Sequence, residues 1–61
     1  GFLLGIQDGY IALWKDGSEK PVEVFPFQAR LLPKSDQERL QSGIRVENSD
    51  ELARLMEDYL S

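Results

Sequence analysis

The chain predicts an α+β domain: a three-stranded antiparallel meander, a short helix, and a C-terminal amphipathic helix packed on one sheet face. Three observations carry this. Asp8-Gly9 joins two apolar runs of equal length, Phe2–Gln7 and Tyr10–Lys15. A Val-x-Val run, Val22–Val24, follows a segment rich in turn formers. Near the C-terminus, Leu52, Leu55, Met56, Tyr59 and Leu60 recur at helical spacing.

The hairpin comes first. A two-residue Asp-Gly loop favours a type I′ turn, whose twist matches that of the strands it joins. Pairing Gln7 with Tyr10 then sets Ile6 opposite Ile11 and Leu4 opposite Leu13. With Phe2, these residues fill one face of the ribbon, over about 2–7 and 10–15. Leu3, Gly5, Gln7, Tyr10, Ala12 and Trp14 take the other face. After the turn formers Asp16–Lys20, the third strand is expected over 22–25. Pro21 opens it and Pro26 closes it, because proline cannot donate to a ladder. Val22 and Val24 are expected on the face of Ile11 and Leu13. The sheet order is then 1-2-3, with both outer strands open. Phe27–Leu32 reads as an extended connection or a short strand.

Ser35-Asp36-Gln37-Glu38 has the form of a capping box for a short helix, about 36–42. Gly43 suits its left-handed exit, with Ile44 making the apolar contact that often follows. Ile44-Arg45-Val46 is read as an extended linker. Asn48 is the expected N-cap of the long helix, about 49–60, with Glu51 at its third position. Its apolar stripe is the natural cover for the face of Leu4, Ile6, Ile11 and Leu13.

At 61 residues, the chain makes one small domain, 1–61, with a modest core. With no Cys and no His, a disulfide framework and a zinc site of the usual kind are excluded. No metal or cofactor is expected. The net charge of −4 is unevenly placed. Residues 1–46 carry six acids and six bases, and 47–61 carry five acids against Arg54. An acidic domain without a basic stripe is a poor partner for nucleic acid. No apolar run is long enough to insert in a membrane.

The usual general base and thiol nucleophile are missing, and Ser35 and Ser49 are accounted for by helix starts. No glycine-rich loop followed by lysine cradles a phosphate, and Asp16–Glu19 lacks calcium-loop spacing. The residues therefore predict a non-catalytic module. Three features suit recognition instead. Tyr10 and Trp14, joined by Phe25, form an aromatic patch if no helix covers the second sheet face. If the short helix or Phe27–Leu32 covers it, they are ordinary core. Glu57 and Asp58 lie in the last helical turn, against the macrodipole, where they either meet a basic partner or form a solvated end. Arg54 is spaced to pair with Asp58. The third feature is an open sheet edge. The candidate partner-binding residues are thus Tyr10, Trp14, Phe25, Glu57 and Asp58.

An ordered set of short patterns runs through the chain: Asp8-Gly9-Tyr10-Ile11-Ala12, Val22-x-Val24, Leu32-Pro33-x-x-Asp36, Leu40-x-x-Gly43-Ile44-x-Val46, Ser49-x-Glu51-Leu52 and Glu57-Asp58-Tyr59. Taken together it resembles the C-terminal domain of the bypass-of-forespore C family; the departure lies at Phe25–Gln28. The resemblance implies the C-terminal domain of a longer exported protein of spore-forming Gram-positive bacteria. The expected location is extracytoplasmic, in the forespore intermembrane space or the cell envelope. The implied role is a regulator that restrains a signalling serine peptidase in the sigma-K checkpoint. The partner is accordingly a serine peptidase or a neighbouring domain. The rival reading is an accessory domain that orients another domain of the same chain. The resemblance implies no catalytic residue.

Overall fold

The computed structural model describes residues 1–60, Leu60 by its backbone alone. Seven elements follow in chain order: β1 (Phe2–Gln7), β2 (Tyr10–Lys15), β3 (Glu23–Gln28), a 3-10 turn (Ala29–Leu31), α1 (Lys34–Ser42), β4 (Ile44–Val46) and α2 (Ser49–Leu60). The fold is α+β, with one four-stranded antiparallel sheet in the order β3-β2-β1-β4 and two α-helices.

The β1–β2 hairpin has the expected register, Gln7 with Tyr10, Ile6 with Ile11 and Leu4 with Leu13. Asp8 and Gly9 both have positive φ, 52° and 86°, as a type I′ turn requires. Gly9 also anchors the chain beyond β3, its carbonyl accepting from the Ala29 N–H at 2.8 Å.

The sheet departs from a three-stranded meander in two ways. First, Ile44–Val46 is not a linker but a fourth strand, pairing Val46 with Phe2 and Ile44 with Leu4. The outer strands are therefore β3 and β4, and β1 lies inside. Second, β3 runs over 23–28 in the opposite phase to that expected. Val24 pairs with Ala12, so it shares the face of Tyr10 and Trp14. Phe25 and Phe27 pack against the core instead. Two alternating apolar pairs compete in this strand, and burying the larger aromatic pair removes more apolar surface from water. The β2–β3 pairing is irregular between Tyr10 and Ala12, and Pro26 is tolerated because β3 is an edge strand.

The core is built on Leu4, Ile11, Leu13, Leu40 and Val46, all buried. On it pack Leu52, Leu55, Met56 and Tyr59 from α2, with Phe2, Ile6 and Leu32. The C-terminal helix thus roofs the Leu4–Ile11 face; the Leu60 side chain, also expected in that stripe, lies outside the described residues. Asn48 caps α2 as its sequence predicts, while Glu51 reaches one residue further back than the capping box. The Asn48 side-chain oxygen accepts from the Glu51 N–H at 3.0 Å, and the Glu51 carboxylate reaches back to the Glu47 N–H at 2.7 Å.

The start of α1 is not the Ser35 capping box. The helix begins at Lys34, with Pro33 as N-cap and no side-chain cap bond. The Pro33 carbonyl accepts from the Asp36 and Gln37 N–H groups. Proline, with its fixed φ, is already set for a helix entry. Gln37 adds a tie to the preceding turn, its side chain donating to the Leu32 carbonyl at 2.8 Å. Gly43, with φ of 91°, ends the helix, its N–H reaching the Arg39 and Leu40 carbonyls.

Candidate functional site

The side chains of a strand alternate, so the face opposite the core receives Leu3, Gly5, Tyr10, Ala12, Trp14 and Val24. Tyr10 is 39% exposed, Val24 49% and Val22 54%. Val22 is tied to the sheet by its N–H, which donates to the Leu13 carbonyl at 2.7 Å. The result is an apolar strip across β2 and β3, with aromatic side chains four residues apart, about 13 Å along the strand.

This face is covered in part: Gly5 and Ala12 are buried, and the carboxyl end of α1 reaches it at Gly5. Trp14 is half-buried and lies across Gly5, diagonal to it over the β1–β2 pair. A Cβ on Gly5 would stand 3.1 Å from the Trp14 Cζ3 atom and 3.4 Å from the Leu40 carbonyl oxygen. The carboxyl end of α1 therefore abuts β1 at Gly5, and Gly43 sits against the Leu3 side chain. Between this helix end and the indole opens a cleft of about 290 Å³, lined by Leu3, Gly5, Trp14, Asp16, Leu40 and Gly43 among others. Asp16, on the turn after β2, also meets Arg45 of β4 at 3.4 Å.

Of the five candidate residues, the fold brings two together. Tyr10 and Trp14 share the strip. Phe25 does not join them; it faces the core for the reason given above. Glu57 and Asp58 are exposed on α2, which packs over the opposite face, so they belong to another surface. One contribution escapes the sequence reading: Val24 lies on this face and not in the core, and the signal for it is the competing Phe25-x-Phe27 alternation. The alternative in which the short helix covers this face is met in part, its carboxyl end abutting Gly5.

Among the described residues, no group of three or more acidic, His or Cys side chains could hold a metal ion. No helix among them is long and apolar enough to cross a membrane. A change in acidity lies elsewhere. Burial pushes the Tyr59 phenol above its ordinary value, with Arg39 opposing and Asp36 and Asp58 adding to the rise.

A family model described as BofC C-terminal domain matches residues 1–61, the whole chain. No curated protein and no solved structure matches it.

Proposed function

The chain belongs to the BofC C-terminal domain family, and from that premise we propose that it is a non-catalytic protein-binding module of a sporulation regulator. It acts outside the cytoplasm and docks on its partner, a signalling serine peptidase, through the sheet face of Tyr10 and Trp14. The observation that supports this reading is the set of apolar side chains left exposed on the face opposite α2. The helix α2 covers the Leu4–Ile11 face, while Tyr10 and Val24 stay exposed on the other. Aromatic side chains on such a strip are the usual anchors of an interface, where a few residues carry most of the binding energy.

The test is a titration of the peptidase with the domain and with Tyr10→Ala and Trp14→Ala, reading inhibition and binding together. Loss of an anchor of about 2 kcal/mol weakens binding roughly thirtyfold. Unchanged inhibition by both variants, with far-ultraviolet circular dichroism intact, removes this face from the function.

A further inference from the structure

We propose that the cleft between Trp14 and the carboxyl end of α1 receives a basic side chain, arginine or lysine, from the docking partner. This rests on the docking reading above and refines it by naming the chemistry of one contact.

Three groups of different origin converge on the cleft. The first is the indole of Trp14, an aromatic wall held in place by Gly5 beneath it. The face of an indole attracts a cation more strongly than that of any other side chain. The second is the last turn of α1. Leu40, Gln41 and Ser42 line the cleft, and the Leu40 carbonyl approaches the Gly5 backbone. The carbonyls that end a helix carry the negative pole of its dipole. The third is Asp16 at the rim. Its ion pair with Arg45 is open to solvent, with side chains 50% and 69% exposed. The same carboxylate also meets the N-terminal ammonium of Gly1 at 3.3 Å. Exposed pairs of this kind are weak, so the carboxylate can exchange one of them for an arriving cation.

Lys15 also borders the cleft. It is exposed, and its long stem lets the ammonium stay in water. An arriving alkyl stem would meet the apolar floor of Leu3 and Gly5 while its charged head meets the carbonyls and Asp16. Arginine suits the site best, because its planar guanidinium stacks on an indole and donates in several directions.

The chain has one tryptophan, so its fluorescence reports on this cleft alone. The experiment titrates the domain with four capped tripeptides, Gly-X-Gly, in which X is arginine, lysine, citrulline or norleucine. The expected result is a saturable change in Trp14 emission with arginine and lysine, and about five- to tenfold weaker binding of citrulline, which keeps the shape of arginine without its charge. Backbone amide shifts should gather at Gly5, Trp14 and Gly43. Equal binding of citrulline or norleucine overturns the proposal. So does the absence of saturation with the basic peptides, or amide shifts gathered at Asp50–Asp58 instead. If the docking reading alone fails, Trp14→Ala leaves partner binding intact while the basic peptides still saturate the cleft.

Discussion

Trp14 and Gly5 are diagonal neighbours across the central strand pair, and the indole lies over the spot where Gly5 has no side chain. A Cβ there would stand 3.1 Å from Cζ3, closer than a relaxed carbon contact. The glycine is needed for space, not for backbone freedom. Replacing it with alanine favours the strand by about 0.5–1 kcal/mol through backbone entropy. It also overpacks a site closed from behind by the Leu40 carbonyl, at a typical cost of 1–3 kcal/mol. The expected outcome for Gly5→Ala is a net loss of about 1 kcal/mol in urea unfolding, with a shift in Trp14 emission in the folded state. An unaltered emission spectrum would show that the indole does not depend on this seat.

Gly43 and Gly9 both have positive φ, yet they should respond differently to alanine. At Gly9 no atom lies within 4 Å of the missing Cβ, so only backbone strain is added, about 1–2 kcal/mol. At Gly43 the new methyl would stand 3.0 Å from the Leu3 side chain, adding a clash to the strain. Gly43→Ala is therefore expected to cost about 1 kcal/mol more than Gly9→Ala. It should also disturb the β1–β4 pairing, read as lost amide protection at Ile44 and Val46. Equal costs would mean that Leu3 moves aside freely.

These glycines mark how far the sequence could be read. The Asp8-Gly9 turn set the β1–β2 register because turn type and apolar alternation agree there, and both act within a dozen residues. Asn48 and the α2 stripe were legible for the same reason. Tyr10 and Trp14 share a face by the period of a strand alone. What escaped depends on distant partners. Ile44–Val46 is too short to announce a strand, and it becomes one only because Phe2–Leu4 offers an edge. In β3, two apolar alternations of opposite phase overlap, and only the demand of the assembled core for Phe25 and Phe27 decides between them. The exposed place of Val24 on the face of Tyr10 followed from that choice.

The cap of α2 gives a prediction confined to one helix end. Asn48→Ala removes the 3.0 Å bond to the Glu51 N–H and should cost about 1 kcal/mol. Glu51→Ala removes the return bond to the Glu47 N–H and an acid from the positive end of the dipole, for a smaller loss of about 0.5 kcal/mol. Since both act on one turn, the double variant should lose less than the sum. Thermal unfolding of the three variants measures this, and strict additivity would argue that the two bonds form independently.

Tyr59 ties stability to alkaline pH. Its hydroxyl is buried and has no hydrogen-bond partner among the described residues, and burial holds its pKa above the ordinary 10.0. The folded domain thus keeps a proton that the unfolded chain releases. The stabilisation linked to this proton is complete below pH 10, and it is lost as pH rises through the raised value. Phenylalanine keeps the ring against the core and removes both the orphan hydroxyl and the titration. Tyr59→Phe is therefore expected to match or exceed the parent in stability at neutral pH, by up to about 1 kcal/mol. It should also flatten the decline in stability above pH 10. The check is a series of urea unfolding curves from pH 7 to 11. A variant less stable than the parent at neutral pH would mean that the hydroxyl has a partner in solution, and a decline as steep as the parent's would assign the alkaline transition to another group.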